Sequence, residues 1–293
     1  MSRSGACGNV PEMSDPALTG TVSVVIPTRD RRELVLEAAR SVLAQRGCEV
    51  ELIVVDDGSR DGTDAALHVL GDRLRYVRQE ARGVSAARNR GAGLARGPWL
   101  AFLDSDDLWR PDKLARQLEL HRRRPPLAVS QTGEIWIRNG RRVNPCLHHA
   151  KPQGDIFLPS LQRCLVSPSA VLMRRDLFLA LGGFDETLEV CEDYDLWLRL
   201  AGRYEVGLVP EPLVVRRGGH PDQLSRRHWG MDRFRVAALL KLLSCAAVDD
   251  ERRSAVAETL RRKCGILAHG ARRRGRHDEA DRYLSLCGAW TDV

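Results

Sequence analysis

"TVSVVIPTRDRRELVLEAARSVLAQ", residues 21–45, decides the fold. It opens with a β-branched apolar run closed by Pro27, and from Arg31 onward apolar residues recur at helical spacing, so a strand feeds directly into a helix. The unit then repeats. "ELIVVDDGS" (51–59) is a second apolar run ending in carboxylates, and "GTDAALHVL" after it reads as a helix with Asp61 or Thr63 near its start. "GVSAARNRGAGLA" (83–95) fits a third helix despite its glycines, "WLAFL" (99–103) a third buried strand, and "RPDKLARQLELHRR" (110–123) a helix with Pro111 in its first turn. Such alternation predicts an α/β fold, a central mostly parallel sheet covered by helices on both faces.

Ligands of such sheets bind beyond the carboxyl ends of the strands. The first strand ends in Pro27, Thr28, Arg29 and Asp30, the second in Asp56 and Asp57, and the third in Asp104, Ser105 and Asp106. If the strands are parallel, these residues share one rim. The first turn, "PTRD", carries no GxGxxG, which disfavours a dinucleotide, and no GxxxxGK[ST] phosphate loop is present. The acids in "LDSDDLW" lie close enough to repel one another. A divalent cation with hard oxygen ligands at Asp104 and Asp106 would offset that repulsion and keep positions open for phosphate oxygens. A DxD alone reads better as a solvated acidic turn; its place beside two other polar strand ends shifts the weight towards the metal and diphosphate site.

The bulk composition predicts a soluble globular protein. The chain has 293 residues, 43% hydrophobic and 29% charged, enough for one large domain and an appendage. No apolar run approaches the roughly 20 residues that cross a bilayer, and Met1 to Gly20, expected to be a flexible N-terminal segment, lacks the apolar centre of a signal peptide. A cytoplasmic location follows as the expectation, with peripheral attachment at the inner membrane face left open. The eight cysteines form no CxxC pair, so structural zinc and a disulfide framework are not expected. The net charge of +7 comes mostly from residues 225–293, with 15 Lys/Arg against 9 Asp/Glu. A nucleic-acid partner is not indicated, because aromatic residues are 5% of the chain and no interleaved aromatic platform accompanies the basic residues.

Five stretches in order, "VSVVIPTRDR", "ELIVVDDGSRDGT", "GVSAARNRGAGLARGPWLAFLDSDDLWRPDKL", "GGFDE" and "CEDYDLWLRLAG", resemble the family 2 glycosyltransferases, whose nucleotide-sugar-binding fold is GT-A. They span about residues 21–215, and Arg60 stands where the family's DDGSTDGT has Thr. The resemblance implies that Asp57 meets the nucleotide base, with Pro27, Thr28 and Arg29 as the wall near base and ribose and Asp56 bracing the loop. Arg88 and Asn89 match the family's "ARN" and would contact the nucleotide or its diphosphate. Asp106 would ligate Mn2+ or Mg2+, with Asp104 nearer the ribose or sugar, Ser105 between them, and His220 near the metal or diphosphate beside Arg216 and Arg217. The ED motif would supply the catalytic base of an inverting transfer, Asp193 first and Glu192 in reserve.

These residues imply transfer from a nucleoside-diphosphate sugar, UDP-sugar favoured, to a hydroxyl of a glycan, lipid-linked or other acceptor. A sugar nucleotidyltransferase, which usually shows a glycine-rich loop after its first strand, and a catalytically inactive nucleotide-sugar-binding relative are the alternatives. "EIWIRNGRRV" reads as a hairpin turning at Asn139-Gly140 and "SPSAVLMRR" as a strand, both on the acceptor side; Trp136 there is expected in the core and His148 and His149 in solvent. The glycosyltransferase domain is expected over 21–225, and a basic helical extension, with apolar stripes inward, over 226–293.

Overall fold

The structure, a computed structural model, describes residues 20–143, 150–219, 230–244 and 248–288. His148, His149 and His220 lie outside them. The N-terminal half runs β1 (Val22–Thr28), α1 (Arg32–Leu43), β2 (Val50–Asp56), α2 (Thr63–His68), β3 (Arg75–Arg78), α3 (Val84–Leu94) and β4 (Trp99–Phe102). After it come β5 (Leu108–Trp109), α4 (Lys113–Arg123), β6 (Val129–Arg138), β7 (Arg141–Val143), α5 (Phe157–Ser160), β8 (Leu172–Arg174), α6 (Arg175–Ala180), α7 (Glu192–Ala201) and β9 (Gly207–Gly218). Three helices close the described chain, α8 (Asp232–Leu243), α9 (Asp250–Arg273) and α10 (His277–Gly288). None of the described helices is long and apolar enough to cross a membrane.

One sheet holds the strands in the order β3-β2-β1-β4-β8-β6-β9-β5, with β7 paired to β6. β3, β2, β1 and β4 are parallel, as the strand and helix alternation predicts, whereas β8 is antiparallel to both β4 and β6. Along β1, Val22, Val24 and Ile26 face one core, with Val35, Ala38 and Leu114, while Val25 faces the other with Ala87 and Phe178. Both faces being buried explains why the run reads as continuously apolar.

The sequence reading missed β3, which sits at the sheet edge with Arg75 and Arg78 exposed. Its charges suit an edge strand, and they hide its apolar pattern. "SPSAVLMRR" is a strand only over Leu172–Arg174, after a single 3-10 turn at Pro168–Ala170. The hairpin at Asn139-Gly140 is present, both residues having positive φ (49° and 73°), as its tight turn requires. Trp136 departs from expectation: it is 37% exposed on this hairpin rather than packed in the core.

The apolar stripes of α8 and α9 face inward as their pattern predicts. Val236, Leu239, Leu242, Val256 and Leu260 share one core cluster with Phe157, Tyr194 and Trp197, so this packing reaches the main body of the protein. Lys241 adds polar ties to Asp185 (2.8 Å) and Asp195 (3.2 Å).

Candidate active site

The parallel register of β1, β2 and β4 brings their carboxyl ends onto one rim. The Asp57 amide donates to the Thr28 carbonyl (2.8 Å), and the Leu103 amide to that of Val25 (3.0 Å). Pro27 and Thr28 are buried and Arg29 is exposed. Among the described residues the buried Thr28 Oγ1 has no hydrogen-bond partner.

Asp56 and Asp57 divide their work. Asp56, fully buried, accepts from the Ser59 amide (2.7 Å) and the Tyr76 hydroxyl (2.5 Å), which braces the turn after β2. Asp57 accepts from Gln79 Nε2 (2.7 Å) and the amides of Arg82 (2.8 Å) and Gly83 (2.9 Å), so its carboxylate shapes the loop leading into α3.

The three acids after β4 are each met by an arginine. Arg88 Nη2 donates to Asp104 Oδ1 at 2.6 Å, Arg31 Nη1 lies 2.8 Å from Asp106 Oδ2, and Arg216 Nε lies 3.5 Å from Asp107 Oδ2. Mutual repulsion is therefore offset within the chain by three arginines, in addition to any cation at Asp104 and Asp106. Burial opposes ionisation of Asp104, but Arg88, Arg216 and Arg31 outweigh it and hold its carboxyl below the ordinary value. Asp107 goes the other way. Its burial, reinforced by Asp104 and Asp106, pushes it up to about 7 although Arg216 pulls it down. Ser169 locks the turn, its hydroxyl donating to Asp107 (2.6 Å) and accepting from the Asp104 amide (3.1 Å). Ser105 is buried within it.

The second face of Arg88 reaches the ED motif. Its Nη1 donates to Glu192 Oε1 at 2.6 Å, so one guanidinium, 3% exposed, joins the acids after β4 to the start of α7. Burial raises the Glu192 carboxyl, as does the charge of Asp193, with Arg88 opposing both. Asp193 is half-buried, and one of its oxygens accepts from the Tyr194 amide (2.7 Å). Beside it the Cys164 thiol is pushed well up, by burial and then by Asp193. Cys191, just before α7, holds a left-handed conformation (φ 64°), an uncommon state for a residue with a side chain.

Asn89 has a different task from Arg88. Its amide nitrogen donates to the Phe184 carbonyl (2.8 Å) and its oxygen accepts from the Phe184 amide (2.9 Å), which pins the "GGFDE" loop against α3. Gly183 (φ +69°) makes the approach possible, since a Cβ there would meet Asn89 Oδ1 at 2.6 Å. Arg31 and the brace Ser169 were given no role from sequence, and Arg216 was placed only beside His220 near the metal or diphosphate; pairing these residues with acids far along the chain requires the register of the sheet.

The profile of glycosyl transferase family 2 matches residues 23–182. The chain belongs to this family. An uncharacterized glycosyltransferase of Rickettsia typhi is 32% identical over 201 residues, covering 67% of this chain and 63% of the relative. The putative teichuronic acid biosynthesis glycosyltransferase TuaG of Bacillus subtilis is 33% identical over 160 residues, covering 53% of this chain and 62% of TuaG. The chain thus spans less than two thirds of these relatives. In fold it is similar to residues 1–349 of S. aureus TarS in complex with UDP-GlcNAc, with TM-score 0.73 at 19% identity over 92% of this chain and 80% of TarS. The family 2 chain therefore has the GT-A architecture.

The GT-A fold implies a divalent cation, and the donor set here fits one. Asp104 and Asp106 are hard carboxylate donors with side chains 21% and 13% exposed, and each commits one oxygen to an arginine. Asp107, 2% exposed, is enclosed. Two carboxylates are fewer than a cation needs, and among the described residues no third acidic, His or Cys side chain completes a cluster; donor phosphates and water would supply the rest.

Proposed function

We propose that this chain is an inverting glycosyltransferase that moves a sugar from a nucleoside-diphosphate donor, favoured as a UDP-sugar, to a hydroxyl of a glycan or lipid-linked acceptor. The observation that carries the reading is Arg88, because one buried guanidinium holds Asp104 of the donor rim and Glu192 of the base motif at 2.6 Å each. Donor and acceptor machinery thereby become one site.

Glu192 is tied up by that ion pair, which leaves Asp193 as the base. Its carboxylate takes the acceptor hydroxyl proton as the oxygen attacks the anomeric carbon; the bond from that carbon to the diphosphate oxygen breaks and the configuration inverts. The loop shaped by Asp57 and the wall of Pro27, Thr28 and Arg29 receive base and ribose. Asp106 and Asp104 would hold Mn2+ or Mg2+, which supplies Lewis-acid stabilisation of the departing diphosphate.

Titration calorimetry of UDP with and without manganese tests the donor half. Wild-type protein should bind UDP more tightly with manganese, and Asp106→Asn should lose that enhancement while keeping its fold. An enhancement unchanged in the variant refutes the role of Asp106. Release of UDP from a UDP-sugar on addition of acceptor separates an enzyme from an inactive sugar-binding relative.

A further inference from the structure

From the rim the sheet continues outward along β6, β7 and β9, and its charge pattern there is unusual. Trp136 is directly opposite Arg216 on one side and Val143 on the other, and Arg138 is directly opposite Arg141. Residues directly opposite share a face, as do those two apart on one strand, so Trp136, Arg138, Arg141, Val143 and Arg216 lie on one face. That face begins at the active site: Arg216 reaches Asp107 at 3.5 Å and its guanidinium lies 5.1 Å from the Trp136 ring centroid. Beyond it Trp136 and Val143 are 37% and 41% exposed, and Arg138 and Arg141 are exposed.

Like charges directly opposite destabilise a strand pair. Among the described residues neither Arg138 nor Arg141 makes an ion pair, and the carboxylate of Glu134, the acid on the same face, is enclosed in its pair with Lys151 (3.1 Å). An aromatic face beside paired guanidinium forks suits a sugar ring bearing a carboxylate or phosphate, since the fork binds either group bidentately. We propose that this shelf binds the acceptor, and that the acceptor is an acidic glycan whose anionic groups sit across Arg138 and Arg141 while a sugar ring lies against Trp136. The proposal rests on the glycosyltransferase reading and extends it to the acceptor's chemistry. An anionic membrane surface is the rival occupant; the continuity of the shelf with the rim through Arg216 favours the glycan.

The test is direct binding of defined oligomers to the whole protein: a galacturonate hexamer, a glycerol-phosphate hexamer, neutral maltohexaose, and phosphatidylglycerol vesicles. At least one acidic oligomer should bind about tenfold or more tightly than maltohexaose, with affinity falling as salt rises, and its identity tells carboxylate from phosphate. The double variant Arg138→Gln/Arg141→Gln should erase that preference, and Trp136→Ala should weaken the same oligomer. Equal binding of neutral and acidic oligomers, an acidic preference that survives the double variant, or retention on vesicles without oligomer binding would each overturn the proposal. Titration of wild-type protein with UDP, GDP and TDP reads the underlying function separately: binding of one of them without glycan preference removes only the acceptor assignment, and binding of none removes the proposed function on which it rests.

Discussion

Arg88 is the residue on which the two halves of the site depend. Its guanidinium is buried between Asp104 and Glu192, and a charge so enclosed is tolerable only because both carboxylates answer it. The same contact separates the two acids of the ED motif, since Glu192 is spent on Arg88 while Asp193 is half-buried at the start of α7. Asp193→Asn should therefore lower turnover about 10²- to 10⁴-fold with donor affinity nearly intact. Glu192→Gln should act differently, loosening Arg88 and disturbing donor binding along with turnover. Initial rates of UDP release together with UDP titrations distinguish the two; near-normal turnover in Asp193→Asn removes it as the base. The candidate acids were legible in sequence because carboxylates that end apolar runs stand out. Their pairing with arginines was not, because Arg31, Arg88 and Arg216 reach them only once distant elements are in place.

At the scale of elements, the strand and helix alternation was readable because β1, β2 and β4 are buried on both faces and their helices carry periodic apolar stripes. Where an element is short or charged the reading failed: β3 is a four-residue edge strand flanked by arginines, and β5 has two residues. The glycines of α3 looked like a weakness in a helix, and one of them, Gly91, turns out to set its distance from the sheet. A Cβ on Gly91 would meet Val25 Cγ1 at 2.4 Å, deep in the core. Gly91→Ala gains roughly 1 kcal/mol of helix propensity. Overpacking typically costs about 1–3 kcal/mol, and the close contact is with a fully buried strand residue, so a net loss is expected. Urea unfolding should show a lower midpoint; a midpoint equal to or above wild type would mean that α3 can lift from β1 freely.

On the scale of the whole molecule, the closing helices matter more than their basic composition suggests. Val236, Leu239, Leu242, Leu243, Val256 and Leu260 are each 3% exposed or less and belong to the cluster that contains Tyr194 and Trp197 of α7. Each such side chain is worth roughly 1.5–3 kcal/mol on burial. A domain's net stability is only about 5–15 kcal/mol, so their summed loss rivals all of it. A truncation after Ser225 should consequently fail to give a soluble, cooperatively folded protein, as judged by size exclusion and thermal melting followed by circular dichroism. A monomeric truncation with a sharp melt would show that the sheet is self-sufficient. The apolar periodicity of these helices was plain in the sequence, but which surface it covers was not, because the matched family motifs end before them.

That shared core also sets an order of events during synthesis. The strands that lead into Asp57 and Asp104 leave the ribosome early and can begin pairing with β1, whereas α7, packed on one side by Phe157 and Phe184, gains the rest of its cover only when the chain has been made beyond Leu260. Until then the apolar side chains of α7 that Val236, Leu239 and Leu260 later cover remain open to solvent, a surface prone to aggregation, and the segment carrying Asp193 lacks its final support. On the proposed roles, the nascent protein thus acquires its donor-binding strands before the segment that carries Asp193 is fully packed.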